Sequence, residues 1–96
     1  MLQIISKQDS KIVLTPQTPD KNIDMIKDYI KLSSCENMTV DLTKLNIIDA
    51  CMVSTVCSTE HYLKYPQGKI NWLVNSNQVK EYSADFNLGN SKYSVV

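Results

Sequence analysis

Hydrophobic residues along this chain alternate between two periods, and the changes of period mark its elements. Ile4-Ile5 and Lys11-Ile12-Val13-Leu14-Thr15 are short β-rich runs. The polar interval between them, Ser6-Lys7-Gln8-Asp9-Ser10, suits a hairpin with a short first strand at a sheet edge. Prolines in Thr15-Pro16-Gln17-Thr18-Pro19 then stop the strand, because each removes a ladder donor. Thr18-Pro19-Asp20 carries the marks of a helix start: a capping hydroxyl, proline at the first position and an acid in the first turn. Ile23, Ile26 and Ile30 recur at helical spacing with Lys21, Lys27, Asp28 and Lys31 opposite. That pattern predicts an amphipathic helix ending near Leu32-Ser33-Ser34, with its charges, Asp24 among them, as a solvated face.

In Asn37-Met38-Thr39-Val40-Asp41-Leu42 the period returns to two, with Met38, Val40 and Leu42 on the better buried side. After Asp49 it becomes helical again: Val53, Val56, Cys57 and Leu63 share a predicted inner stripe, and Tyr65-Pro66-Gln67-Gly68 stops the helix after about Lys64. Lys69-Ile70-Asn71-Trp72-Leu73-Val74 is another strand, with Ile70, Trp72 and Val74 facing one way. Trp72 is expected in the core, since a parallel central strand is covered on both faces. Asn75-Ser76 caps a last helix with the apolar stripe Val79, Tyr82 and Phe86, which Leu88-Gly89-Asn90 ends. Ser91–Val96 has room for a final short strand. The order ββαβαβα(β) predicts one α/β domain over residues 1–96. Its sheet is mostly parallel, built by right-handed crossovers, with an N-terminal antiparallel hairpin and helices packed on it. A chain of 96 residues is near the lower end for a self-supporting core.

The stretch Val40–Ser54 organises the rest: a strand ends in Asp41-Leu42-Thr43, Ile47-Ile48 leads to Asp49, and a helix opens there. At Asp41-Leu42-Thr43, Ile47-Ile48 and Asp49-Ala50-Cys51-Met52 the sequence resembles the STAS family, the sulphate transporter and anti-sigma factor antagonist domains. That signature is roughly Asp-Leu-Ser/Thr, a hydrophobic pair, then Asp-Ser-Ser/Thr-Gly before an apolar helix. The likeness extends from about Lys11 to Tyr93. It implies a STAS-like fold and a non-enzymatic module that docks a protein: an anti-sigma factor or serine-kinase-like protein, or a larger regulatory or transport assembly. In such antagonists a serine at this helix start is phosphorylated, and the roughly two added negative charges break the docked complex. Here Asp49 matches the family's aspartate, Ala50 falls at the acceptor serine, Cys51 at the following Ser/Thr and Met52 at the glycine. The resemblance therefore implies docking without the usual switch. The expected contact residues are Lys44, Asn46, Asp49, Ala50, Cys51 and Met52, with Ser54 and Thr55 as surrogate phosphoacceptors in a switched alternative.

Composition narrows the alternatives. Net charge is zero, with ten acidic and ten basic residues, and every basic residue is lysine. Arginine's planar fork is the usual reader of guanine edges and phosphates, and the lysines are dispersed, so no nucleic-acid partner is expected. No run reaches the length of a membrane span, and Met1-Leu2-Gln3-Ile4-Ile5 lacks the pattern of a signal peptide. The expectation is a cytoplasmic protein without membrane insertion. Cys35, Cys51 and Cys57 are odd in number and unpaired in spacing, which fits reduced thiols. With His61 the only histidine, no metal site or cofactor is expected. A thiol-dependent enzyme using Cys51 is the alternative from another class. His61 lies ten residues along the same helix, about 15 Å away at the helical rise, so the two form no nucleophile pair. A nucleotide or small-ligand site at the helix start lacks both a glycine-rich loop and an arginine. Asp41 is expected to end its strand, Asp49 to cap its helix, Cys57 to fill core and His61 to be partly exposed.

Overall fold

The computed structural model describes the backbone of residues 2–4, 10–33 and 35–96, and the side chains of that set from residue 12 onward. Among these residues five strands form one sheet: β1 (Leu2–Ile4), β2 (Ser10–Leu14), β3 (Asn37–Asp41), β4 (Lys69–Val74) and β5 (Ser91–Val95). Their spatial order is their order in sequence. β1 runs antiparallel to β2, with Gln3 opposite Val13. The remaining pairs are parallel, with Ile12 beside Val40, Val40 beside Trp72 and Trp72 beside Tyr93. Ile5 and the Ser6–Asp9 link of the expected hairpin lie outside the described residues.

Three helices connect the parallel strands: α1 (Pro19–Leu32), α2 (Ile47–Lys64) and α3 (Asn77–Ser83), the last running into a 3-10 turn over Ala84–Phe86. Strands added one after another in the same direction, through crossovers of one hand, place every connection on the same side. The side chains agree. Ile12, Leu14, Met38, Val40, Ile70, Trp72 and Val74 are all buried, whereas Val13, Thr39, Asp41, Asn71, Leu73 and Ser94 on the opposite face are half-exposed. Among the described residues the sheet is covered on one face only. This corrects the expectation of cover on both: Trp72 is fully buried, but by helices from one side, and its indole N–H donates to Ser91 Oγ at 3.0 Å.

α1 uses its period as the sequence predicts, burying Asn22, Ile26, Tyr29 and Ile30. Thr18 stands at its N-cap position but makes no side-chain capping bond. α2 buries Ala50, Val53, Ser54, Cys57, Ser58 and His61. Val56 and Leu63, expected on the inner stripe, are exposed instead, as are Tyr82 and Phe86 after β4. His61 is also corrected, since it is fully buried. Its Nε2 bonds to the Cys35 carbonyl at 2.8 Å, while Nδ1 has no partner among the described residues. Gly68 closes over this ring: a Cβ there would lie 2.7 Å from His61 Cε1 and 2.9 Å from Tyr65 Cβ. No side chain fits at position 68 without displacing one of these groups.

Candidate docking surface on the second helix

β3 ends in an Asp-centred turn. Asp41 Oδ1 accepts from the Thr43 backbone N–H at 2.8 Å and from the Thr43 hydroxyl at 2.6 Å, a local alternative to continuing the ladder. Asn75 then donates to the Thr43 carbonyl at 2.8 Å, tying the loop to the end of β4. Leu45 is buried, and its N–H donates to the Leu42 carbonyl at 3.0 Å. These bonds hold the Leu42–Asn46 loop from both sides and fix where α2 begins.

The helix begins two residues before Asp49. Asn46 is the N-cap: its Oδ1 accepts from the Asp49 N–H at 2.8 Å, and its Nδ2 donates back to Asp49 Oδ2 at 3.2 Å. This is the logic of a capping box, with an amide and a carboxylate at the two ends. Asp49 is therefore not the cap; it is the third helical residue, well placed for the helix dipole. Ile47 and Ile48, expected to lead up to the helix, form its first turn instead.

The early start rotates the residues of the expected contact set. Ala50 is only 1% exposed and packs in the core, so a serine at that position would bury its hydroxyl. Cys51 is half-buried, its sulfur 3.8 Å from the Val79 carbonyl of α3. Neither lies on an open surface. Ser54 is fully buried, donates to the Cys51 carbonyl at 3.2 Å and accepts from the Tyr93 hydroxyl at 2.8 Å. A kinase has no access to it in the folded chain. Thr55, half-buried, turns its hydroxyl back to the Cys51 carbonyl at 2.8 Å. Lys44, Asn46 and Met52 are exposed and Asp49 partly so.

Met52 belongs to a row whose other members, Ile48 and Val56, were not among the expected contacts. Ile48, Met52 and Val56 follow one another at intervals of four along the outer side of α2, and they are 73%, 42% and 38% exposed. Val56 also lines a groove of about 570 Å3 between α2 and the turn after α3, whose other lining residues include Thr59, Glu60, Asp85, Phe86 and Leu88. Spacing alone signalled this row, but apolar residues in a helix are read first as core.

Burial pushes the Cys57 thiol up to about 12 and raises that of Cys35, which keeps both protonated at neutral pH. His61 is committed to the Cys35 carbonyl rather than to any sulfur. Among the described residues no group of histidine, cysteine and carboxylate side chains is arranged to hold a metal ion. None of the described helices is long and apolar enough to cross a membrane. Compared with protein-family models, curated proteins and solved structures, the chain matches none of them.

Proposed function

We propose that this chain is a non-enzymatic, STAS-like interaction module, which docks a protein partner on the start and outer side of α2 without a serine-phosphorylation switch. The observation that carries this reading is the exposed row Ile48, Met52 and Val56. Single exposed apolar residues need no explanation, but a row continuous with a groove that also holds Phe86 and Leu88 is a mark of an interaction site. Removing the exposed part of such side chains from water contributes about 1–2 kcal/mol for Ile48 and roughly 1 kcal/mol or less each for Met52 and Val56, before the costs of association. Met52 adds an adaptable contact. The loop before the helix is already tied down by Asp41, Asn75 and Leu45, so docking orders little new backbone, which favours affinity. Lys44, Asn46 and Asp49 border the row and supply a polar rim.

The motif resemblance supplies the class of partner: an anti-sigma factor or kinase-like protein, or a subunit of a regulatory or transport assembly. The buried methyl of Ala50 and the inaccessible Ser54 support a constitutive contact. The test is affinity capture from extract of the native cell with wild type, Ile48→Lys and Met52→Lys, each checked for an unchanged thermal midpoint. One protein held by wild type and released by both variants is the expected result. Equal recovery by all three would remove α2 as the docking surface.

A further inference from the structure

We propose that the open edge of β5 is a second docking site, which takes an acidic segment in extended conformation as an added strand of the sheet. Two bonds fix which backbone groups of β5 point outward. The Ile70 N–H donates to the Asn90 carbonyl at 2.8 Å, and the Val96 N–H donates to the Val74 carbonyl at 2.9 Å. In a parallel ladder, alternate residues of a strand turn both backbone groups to the same neighbour. Asn90, Lys92, Ser94 and Val96 therefore face β4, whereas Ser91, Tyr93 and Val95 face away from it.

Asn87 already satisfies the first of these outward residues. Its Nδ2 donates to the Ser91 carbonyl at 2.9 Å, and its Oδ1 accepts from the Ser91 N–H at 3.4 Å. The carboxamide occupies the place of a neighbouring strand's peptide group. At Tyr93 and Val95 no backbone group among the described residues plays that part. Four polar backbone groups, two donors and two acceptors, remain on the edge, the arrangement that extended peptides use when they join a sheet.

The surroundings select the occupant by charge. A groove of about 350 Å3 runs beside the edge, lined by Lys80, Ala84, Asn87, Ser91, Lys92 and Tyr93. Two lysines line it and no carboxylate does; Asp85 lines the other groove, on the α2 side. Lys80 belongs to α3, on the covered side of the sheet. Lys92 projects from the open face, in the row that includes Thr39 and Asn71. Side chains of an added strand alternate between these two faces, so acids of either parity meet a lysine. A second copy of this chain pairing edge to edge brings lysines against lysines, which disfavours self-association.

The probe is a fluorescein-labelled peptide of repeated Glu-Val-Thr, whose glutamates fall on alternate faces, compared with its Lys-Val-Thr counterpart by fluorescence anisotropy. The acidic peptide should bind saturably and the basic one should not. Val95→Pro removes an outward N–H while leaving the ladder to β4 intact, and should weaken binding about tenfold or more, on the scale of losing one well-made pairing. Lys80→Glu and Lys92→Glu should each weaken it about three- to fivefold, as exposed charge pairs do. A copy of the acidic peptide N-methylated at alternate residues tests the edge without altering the protein and should not bind. Unchanged affinity for Val95→Pro or for the N-methylated peptide would overturn the edge as the site. Equal binding of the basic peptide would overturn the choice of ligand. A wild-type dimer in sedimentation that Val95→Pro dissociates would give the edge to a second copy instead.

Discussion

α1 and α2 lie side by side on the same face of the sheet, joined at the surface by Lys27 and Glu60 at 3.7 Å, yet they distribute their residues in opposite ways. α1 turns Ile26, Tyr29 and Ile30 inward with a single polar residue, Asn22, and gives water its lysines and aspartates, with Leu32 exposed only at its last position. α2 turns Ser54, Ser58 and His61 inward beside Ala50, Val53 and Cys57, and gives water Ile48, Met52, Val56 and Leu63. The inward serines cost little, because Ser54 and Ser58 donate to carbonyls one turn back, those of Cys51 and Thr55. The core therefore explains every large apolar residue on the inner side of α1, whereas it leaves the outer row of α2 without a role. A helix that places small polar groups inside and large apolar ones outside leaves an apolar row on its outer side, which is the observation behind the proposed docking surface.

The sharpest way to break this contrast is a pair of truncations. Ile26→Ala should destabilise the fold by about 3 kcal/mol, the cost of a core cavity. Ile48→Ala should change stability by less than about 0.5 kcal/mol, and equal losses in urea denaturation would show that Ile48 is core after all. Next come the caps. Asn46→Ala should cost about 1 kcal/mol, because it removes a made capping bond, whereas Thr18→Ala should change stability by only about 0.3 kcal/mol, there being no such bond to lose. Matching midpoint shifts for these two variants would erase the difference between the helix starts.

A pH series addresses the inner side of α2. Burial holds the His61 imidazole below its ordinary value of 6.5, with the Cys35 and Glu36 backbone acting the other way. The unfolded chain thus binds a proton that the folded chain resists. The contribution is whole above about 6.5 and is lost as pH falls through the lower, folded value. The thermal midpoint should drop more steeply below about pH 6.5 in wild type than in His61→Gln. Parallel slopes would show that the ring titrates freely. Met52→Lys should also change stability little, by about 0.5 kcal/mol or less, while losing the captured partner. A large destabilisation would mean that the exposed row belongs to the fold itself.

The element order, the parallel sheet and the inner sides of β3 and β4 were legible because alternation in Met38-Thr39-Val40 and Ile70-Asn71-Trp72 has one physical reading. α1 was legible for the same reason, its isoleucines and lysines being cleanly separated. α2 was not. Val53 and Cys57 fit both its true inner side and the expected one, and polarity then favoured Val56 and Leu63 over Ser54, Ser58 and His61. The inward choice depends on hydroxyls bonding back along the helix, which apolar periodicity does not record. The helix start was misplaced for a related reason: Ile47-Ile48 has high β propensity, yet the Asn46 cap and the Asp41 turn override it. One-sided cover of the sheet was not readable either, because it follows from the order of strands in space.

That order has a consequence for how the chain assembles. Each parallel strand pairs with the one before it in sequence, so no strand has to insert between two that are already joined. Every crossover closes over a single intervening helix, which keeps the entropy of loop closure low at each step. The sheet can grow from any β-α-β unit outward, and its folding rate should fall in the range of mixed α/β domains with moderate contact order rather than that of sandwiches. In stopped-flow refolding such a chain is expected to give one dominant phase, because sequential addition offers no wrongly inserted strand to undo.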